Sequence, residues 1–332
     1  MRCAMNIAFA GLRHGHIFTL ARMARENPLF TITGYWEEDA AAREAAAPQF
    51  TETAYPSYDA LLADPAVDVV AVGDYYGIRG ERILRALRAG KHVLCDKPVC
   101  TRLNELAQIE TLCREKGLKL GCMLDLRYDP ALRMAQSMIR GGTLGEIHAV
   151  NFTGQHPLNY GVRPSWYFEP GKHGGTFNDL AIHGIDAVTM VTGLAYEKTL
   201  CARTWNAFAH SVPDFRDCAQ LMGTLQNGAG VTADVSYAAP APSAFSLPPY
   251  WRFSFWGENG FLECRLGEGE VTLALAGDAA PRRLSAPPVT DDYLTGLYRE
   301  IQGESVAFDT QSVLLSTKTL LEIQQFADTT PY

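Results

Sequence analysis

The chain has 332 residues, enough for two domains that each bury a core. Hydrophobic residues make up 47% of it and charged residues 20%, and a formal net charge of -8 excludes the basic balance of a nucleic-acid-binding protein. No apolar run approaches the length of a membrane span, and the first residues lack a secretory h-region, so we expect neither a membrane span nor a secretory leader. The eight cysteines are scattered without a C-x-x-C pair, so we expect a reducing cytoplasm and neither disulfides nor a zinc knuckle.

Strand and helix patterns alternate over residues 1–122. The apolar runs predict strands over 6–10, 31–36, 67–72, 92–95 and 119–123. Helical spacing predicts helices over 17–27, 38–46, 80–89 and 102–116. This alternation predicts an α/β domain of the Rossmann type, with a doubly wound parallel sheet that binds its ligand at the carboxyl ends of the strands.

The pattern changes after residue 122. One helix over 131–140 precedes a strand near 147–155, and another helix begins near Phe177. Strands then recur without helices between them, over 218–226, 230–237, 251–256, 260–264 and 270–275. We therefore predict that residues 123–332 form an α+β domain with a mostly antiparallel open sheet. Residues 238–249 read as a Pro-rich loop, and 312–327 as a helix that packs back on the body, with the first domain as one available surface.

The stretch "IAFAGLRHGHIFTL", residues 7–20, resembles the start of a dinucleotide-binding unit. In G-x-G-x-x-G the first glycine makes a tight turn, the second admits the pyrophosphate and the third allows helix packing. Gly11 keeps the first place, Arg13 and His16 take the other two, and Gly15 falls one residue early. A helix N-terminus remains for the phosphates, and Arg13 could add a cation beside them. The alternative is a Rossmann-like domain that binds no dinucleotide.

Two acids follow the second strand in "GYWEED". Glu37 stands about 20 residues past the glycine loop, where an acid bonds a ribose 2′-OH. Glu38, in place of Arg or Lys, disfavours a 2′-phosphate, so NAD is predicted over NADP. The alternative is that both acids simply begin the next helix.

Two further motifs have residues suited to catalysis. "AGKHVLCDKPV", 89–99, delivers Asp96 and Lys97 at the carboxyl end of a strand, although a solvated lysine in a turn would read the same way. In "GGTFNDLAIHGID", 174–186, Asp179 and His183 are four residues apart and share a helix face, which indicates a polar stripe lining a pocket. A capped helix with a satisfied His–Asp pair is the alternative.

These two motifs resemble signatures of the Gfo/Idh/MocA oxidoreductase family. "AGKHVLCDKP" is similar to A-G-K-H-V-x-x-E-K-P, with Asp96 for glutamate, and "GGTFNDLAIHGID" to G-G-x-x-x-D-x-x-x-H-x-x-D. The resemblance implies a nicotinamide-dependent enzyme that acts on a sugar, polyol or related carbohydrate. It places the family's lysine, aspartate and histidine on Lys97, Asp179 and His183.

The altered glycine loop departs from the family's pattern, and so does one further segment. T-P-N-x-x-H after the third strand reads "DYYGIR", with Arg79 at its end, and the resemblance implies that this segment flanks the nicotinamide ribose. The residues expected to contact the cofactor are Gly11, Arg13, His14, Glu37, Asp74, Tyr75, Asp96 and Lys97.

The chemistry follows from hydride transfer. Oxidising a secondary alcohol needs a base near its hydroxyl, and an imidazole, with an ordinary pKa of about 6.5, suits this task. Either His183 or Lys97 could take the proton, Lys97 could stabilise an alkoxide, and Asp179 could orient the imidazole or hold a substrate hydroxyl.

Aromatic and hydrogen-bonding side chains precede the second motif in "QHPLNYGVRPSWYF", 155–168, and suit a sugar ring. The predicted substrate contacts are Asp125, Arg127, His156, Tyr160, Arg163 and Trp166. The two arginines would suit a sugar acid. His14, His16 and His183 suggest a metal, but no cysteine or acid stands at ligand spacing, so we predict no metal site.

Two other functions remain open: a non-catalytic protein that binds a sugar or dinucleotide, and a glycosidase in which NAD is oxidised and re-reduced in one cycle. The partner is expected to be a small carbohydrate-like substrate, with no nucleic acid and no membrane. The resemblance also implies a homodimer or homotetramer formed through the second-domain sheet.

Overall fold

The computed structural model describes residues 4–240 and 251–330. Its first sheet has five parallel strands in the order β2-β1-β3-β4-β5. The central strands are buried apolar runs, which is typical of a parallel sheet covered by helices on both faces. The strand bounds are Met5–Ala10 (β1), Phe30–Trp36 (β2), Val69–Val72 (β3), His92–Cys95 (β4) and Leu120–Cys122 (β5).

Helices alternate with these strands. Their bounds are His16–Glu26 (α1), Ala40–Ala46 (α2), Tyr58–Ala63 (α3), Tyr76–Arg88 (α4) and Leu103–Lys116 (α5). Helix α2 begins two residues later than predicted because Asp39 caps it, accepting a hydrogen bond from the Ala42 N–H at 2.8 Å. Helix α4 begins four residues earlier than predicted, and α3 was not predicted. The predicted alternation is confirmed.

The second sheet is built from later parts of the chain. It follows helix α6, Pro130–Arg140, and includes the long strand β6, Ile147–Pro157. A π-helical turn, Phe177–Ala181, leads into α7, Ile182–Thr192. The remaining strands are Tyr196–Trp205 (β7), Cys218–Leu225 (β8), Gly230–Ala239 (β9), Trp251–Gly257 (β10), Gly260–Arg265 (β11), Glu270–Leu275 (β12) and Arg282–Ser285 (β13).

These eight strands lie in the order β13-β12-β11-β10-β6-β9-β8-β7. All neighbours are antiparallel except β6 and β9, which run parallel. Along β10 the buried Trp251, Phe253 and Phe255 alternate with more exposed residues, so one face of the sheet supplies the core. The predicted mostly antiparallel sheet is confirmed, and β7 and β13 were not predicted.

Two helices end the chain, Tyr293–Ile301 (α8) and Thr310–Thr329 (α9). The first compact unit contains Met1–Met123, Pro164–Gly174 and Asp291–Lys318. The second contains Leu124–Arg163, Gly175–Thr290 and Thr319–Tyr332. Each unit is therefore assembled from stretches that are far apart in the sequence.

The predicted fold class, a doubly wound Rossmann-type sheet plus an α+β sheet, is confirmed. Most of the Pro-rich stretch predicted as a loop lies outside the described residues, because strand β9 ends at Ala239 and the description resumes at Trp251. Among the helices of the described ranges, none is both long and apolar enough to cross a bilayer.

Candidate functional site

The glycine loop, residues 11–16, follows β1 at the carboxyl edge of the parallel sheet. Gly11 has φ +76°, and a Cβ at this position would lie 2.5 Å from the Cβ of Asp74. Only glycine fits both the left-handed backbone and this close approach. A Cβ on Gly15, by contrast, would meet no heavy atom within 4 Å among the described residues. The loop therefore keeps its tight turn and is open just before α1.

Arg13, at the second glycine position, points its guanidinium toward acids from two other strand ends. Its Nε lies 2.7 Å from an Asp74 oxygen, and its Nη2 lies 2.7 Å from Glu38. The guanidinium also stacks over the Tyr75 ring, 4.7 Å from its centroid. Arg82 reaches the other oxygen of Glu38 at 2.8 Å. Glu38 thus neutralises two guanidiniums at the end of β2.

Glu37 is 1% exposed and tethers the glycine loop. Its carboxylate accepts hydrogen bonds from the Leu12 N–H at 2.5 Å and from the Asp39 N–H at 2.8 Å. Burial raises the pKa of Glu37, and these two backbone donors oppose that rise. The acid predicted to bond a ribose therefore also fixes the loop backbone.

The Asp96 turn, residues 96–98, follows β4 at the same edge of the sheet. The Asp96 N–H donates to the Val72 carbonyl at 2.9 Å, and the Lys97–Pro98 peptide bond is cis. The Asp96 carboxylate is ion-paired with Arg79 at 2.7 Å and hydrogen-bonded to the His14 ring. Burial alone would raise the pKa of Asp96, but the Arg79 and His14 side chains hold that pKa well below its usual range.

An aromatic segment, Pro164–Gly174, packs on the glycine loop within the first unit. The Trp166 indole N–H donates to the Arg13 carbonyl at 3.1 Å. The Tyr167 hydroxyl lies 3.0 Å from His14 Nε2 and 2.7 Å from the Tyr76 hydroxyl. Trp166, predicted to contact substrate, is therefore placed beside the loop predicted to contact the cofactor.

Three side chains of the first unit could ligate a metal together. His14, His16 and Asp96 have ligand atoms that all lie within 4.8 Å of one another. No acid stands close to His14 or His16 in the sequence. Asp96, 80 positions after His16, approaches both rings only in the folded chain. However, Asp96 is already paired with the fully buried Arg79, and a dication here would face that guanidinium. These contacts disfavour a cation, and the absence of a metal site stays a prediction.

The second unit positions Asp179 and His183 through the π-helical turn and α7. The Asp179 N–H donates to the Gly175 carbonyl at 3.1 Å, and the Tyr237 hydroxyl donates to the Asp179 carboxylate. The His183 ring packs edge-on against Trp251, with centroids 5.8 Å apart. Both Asp179 and His183 are buried. Sequence reasoning missed Tyr237, since a tyrosine inside a strand gives no signal that separates it from the core.

Two arginines predicted to bind substrate have protein partners. Arg127 forms a two-point ion pair with Asp186, at 2.7 and 2.9 Å, and both side chains are buried. Arg163 donates to the Leu158 and Pro157 carbonyls at 2.7 and 3.1 Å and stacks over the Tyr237 ring. These contacts oppose the use of either guanidinium for a substrate carboxylate.

A cavity of about 600 Å³ opens in the second unit. It is lined by Leu158, Asn159, Tyr160, Val162, Phe208, Ala209, Ser211, Tyr237, Ala238 and Ala239. Tyr160 and Phe208 expose aromatic surface, and none of the lining residues that the structure describes is charged. Tyr237 connects this cavity to Asp179 through its hydroxyl. Of the other predicted substrate contacts, Asp125 is exposed in a short helical turn, and His156 packs 6.1 Å from the Trp251 ring.

A parallel sheet with a glycine turn after β1, a helix N-terminus behind that turn and a lysine turn after β4 defines a dinucleotide-binding Rossmann unit, here joined to an α+β unit. Residues 5–123 match the family model described as oxidoreductase family, NAD-binding Rossmann fold, and residues 132–263 match the GFO/IDH/MocA C-terminal domain. The chain belongs to the Gfo/Idh/MocA family of oxidoreductases, which confirms the resemblance carried by its two motifs.

Curated relatives include dehydrogenases. The chain is 28% identical over 193 residues to trans-1,2-dihydrobenzene-1,2-diol dehydrogenase of Bos taurus, an alignment that covers 58% of this chain and 57% of that protein. It is 25% identical over 291 residues to D-xylose 1-dehydrogenase (NADP(+)) 2 of Haloferax volcanii, with 83% of each covered. The alignments with the first curated relatives span just over half of those proteins' length.

The fold is shared with solved structures. Aldose-aldose oxidoreductase from Caulobacter crescentus, complexed with glycerol, superposes with a TM-score of 0.82 at 18% identity, and 98% of each chain is covered. At this identity the likeness concerns the fold alone.

Proposed function

We propose that this protein is an NAD-dependent oxidoreductase that transfers a hydride between the nicotinamide and a secondary alcohol of a sugar, polyol or related compound. The principal observation is the placement of Lys97, which is 5% exposed in a turn at the carboxyl edge of the parallel sheet and is followed by a cis proline. Ligands of doubly wound sheets bind at this edge. Family membership and the dehydrogenase relatives support the same conclusion.

The residues around the glycine loop fit a dinucleotide. Space is open at Gly15, just before the N-terminus of α1, where phosphates are favoured by free N–H groups and the helix dipole. Arg13 places a guanidinium beside this space, ion-paired with Asp74 and Glu38, and the backbone around Gly11 and Asp74 makes the close turn. Asp74, Tyr75, Asp96 and Lys97 are the residues proposed to lie near the nicotinamide ribose. When bound, the nicotinamide supplies the hydride acceptor.

The second unit supplies proton chemistry. In the proposed mechanism the His183 imidazole takes the proton of the substrate hydroxyl, and the Lys97 ammonium stabilises the oxygen as charge develops on it. Asp179 holds a second substrate hydroxyl or orients the imidazole. Its carboxylate accepts a hydrogen bond from the Tyr237 hydroxyl, which helps to hold it in place.

The substrate class follows from the cavity beside Tyr237. Its wall combines exposed aromatic rings with Asn159 and Ser211, a lining that suits a ring with an apolar face and several hydroxyls. The described part of the lining has no charge, and Arg127 and Arg163 are engaged with protein groups. A neutral carbohydrate-like alcohol is therefore favoured over a sugar acid. The proposal also includes a cytoplasmic homodimer or homotetramer.

The test is a panel of neutral sugars, cyclic polyols and sugar acids with NAD and NADP, read by the absorbance of the reduced nucleotide. The expected result is net NADH formation with at least one neutral member. A sugar-releasing reaction without net NADH would identify the glycosidase alternative. Ligand binding by calorimetry with no turnover of any member, in either direction, would identify a non-catalytic binding protein.

A further inference from the structure

Arg79 is the largest fully buried side chain of the described residues, and its guanidinium donates hydrogen bonds to the Asp96 turn and to Asp74. Its Nη1 donates to three successive carbonyls, those of Asp96 at 3.0 Å, Lys97, and Pro98 at 3.2 Å. Its Nε donates to the Asp74 carbonyl at 2.7 Å. One guanidinium therefore fixes the backbone on both sides of Lys97.

The carboxylate of Asp96 completes this arrangement. Arg79 Nη2 lies 2.7 Å from Asp96 Oδ2, and neither side chain is exposed. The same guanidinium stacks over one ring, that of Tyr76, at 4.7 Å, and the Lys97 ammonium lies 5.7 Å from the centroid of that ring. The position of the ammonium is thus tied to Arg79 through the backbone and through a shared aromatic surface.

Both residues stand at positions where this chain departs from the family signatures that its motifs resemble. Asp96 replaces a glutamate, and Arg79 replaces a histidine. Aspartate is one methylene shorter than glutamate, whereas arginine reaches further than histidine. In this chain the longer cation reaches the shorter acid, since their side chains lie 2.7 Å apart.

We infer that Arg79 and Asp96 form a matched pair that positions the Lys97 ammonium, with Arg79 acting as a positioning residue rather than a catalytic one. The part of this inference that concerns turnover rests on the proposed function. The part that concerns the placement of Lys97 does not, and it is measured on the protein without cofactor or substrate.

The test is a double-mutant cycle with Arg79→His, Asp96→Glu and the double variant. The first readout is the rate at which an acylating reagent labels Lys97, followed by mass spectrometry on the full chain. Each single change should speed labelling about tenfold or more, because a broken buried ion pair opens the turn. The double variant should return most of the way to the wild-type rate.

Glu300→Gln, a change at a buried carboxylate of the first unit that binds Thr310, controls for lost stability. It should lower the Tm without changing the labelling of Lys97.

The second readout applies once a substrate is known. Each single variant should lose about 10- to 100-fold in kcat with little change in KM, and the double variant should recover most of that loss. Arg79→Lys and Asp96→Asn repeat the labelling test if the larger changes fail to fold. Two results would overturn the inference. One is a labelling rate of Lys97 in the single variants that equals the wild-type rate, and the other is a labelling rate in the double variant as high as in the faster single variant. A third outcome separates the two proposals. If the labelling rates of Lys97 follow the expected cycle but the protein oxidises or reduces no substrate, the inference about Arg79 and Asp96 stands and the proposed function is rejected.

Discussion

At the scale of single residues, Lys97 is the side chain on which the proposed chemistry depends most. Its replacement by Met keeps the length and apolar stem but removes the cation, so we expect kcat to fall by at least about 100-fold. The fold should be retained, as measured by circular dichroism. Lys116→Met, at an exposed position on α5, is the matched control and should leave kcat unchanged. A rate like that of wild type for Lys97→Met, with a verified substrate, would remove Lys97 from the mechanism.

Glu38 offers a test of cofactor choice. It neutralises Arg13 and Arg82, at 2.7 and 2.8 Å, and their charges hold its pKa below the usual value although burial opposes this. In Glu38→Gln the two guanidiniums lose one acidic partner and keep only Asp74 and Glu37 nearby, so they should attract a 2′-phosphate more strongly. We expect the ratio of the Kd for NADP to the Kd for NAD to fall about tenfold, measured by calorimetry. Glu44→Gln, on the exposed side of α2, is the control. An unchanged ratio in Glu38→Gln would contradict this prediction.

Residue-level prediction from the sequence succeeded where a motif fixed both the residue type and its place on the fold. Glu37 and Asp96 were found at strand ends, as their positions predicted. The partners of other candidate residues could not be found, because they come from elements far away in the chain. Tyr237 bonds Asp179 in the second unit, and in the first unit Tyr167 contacts His14 and Arg82 pairs with Glu38. Nothing in the local sequence separates such residues from ordinary core or surface positions.

At the scale of elements, the contact between α4 and the aromatic segment depends on the absence of a side chain. The Gly77 N–H donates to the Lys172 carbonyl at 2.9 Å, and a Cβ on Gly77 would lie 2.1 Å from the Gly171 carbonyl oxygen. Helix propensity alone would make Gly77→Ala stabilising. Because of the clash we expect the opposite, a loss of about 1–3 kcal/mol in the free energy of unfolding. Thermal unfolding and tryptic cleavage after Lys172 measure it.

The control for that change is Gly230→Ala, at a strand position where a Cβ would meet no heavy atom within 4 Å of the described chain. It should leave both the Tm and the cleavage rate near those of the wild type. If Gly77→Ala behaves like Gly230→Ala, the aromatic segment does not depend on this close approach.

Elements with strong periodicity were predicted well, and their ends less so. The alternating strands and helices of the first sheet follow directly from apolar runs, whereas α4 begins earlier than predicted because its first turn buries Tyr76 against other parts of the unit. Strands β7 and β13 contain too many polar or exposed residues to show alternation. The parallel pairing of β6 with β9 is a matter of topology, which local patterns do not encode.

At the scale of the whole molecule, His14 should make stability depend on pH. Burial lowers the pKa of His14 to about 4, from 6.5 for the unfolded chain. Between pH 4 and pH 6.5 the unfolded state binds more protons than the folded state, so this group makes the free energy of unfolding rise with pH and fall again on acidification. Its contribution above pH 6.5 exceeds that below pH 4 by about 3 kcal/mol.

Thermal unfolding as a function of pH measures this effect. His14→Gln should reduce the rise in Tm between about pH 4 and pH 6.5, leaving the part due to His92, whose pKa burial also lowers, and the loss below that range. That remaining loss comes partly from Asp96, whose lowered pKa makes its contribution disappear only at lower pH. A slope in His14→Gln equal to that of the wild type would show that another group is responsible.

The discontinuity of the first unit has a consequence for synthesis on the ribosome. The Leu120 N–H donates to Thr310 at 3.0 Å, and Asn27 donates to Thr295 at 3.1 Å, so the C-terminal stretch Asp291–Lys318 is part of that unit. A nascent chain that has emerged only as far as Met123 therefore lacks contacts that the finished unit requires. Its apolar strands therefore stay incompletely covered while about two hundred further residues are translated. During that time holdase chaperones would bind the exposed apolar surface.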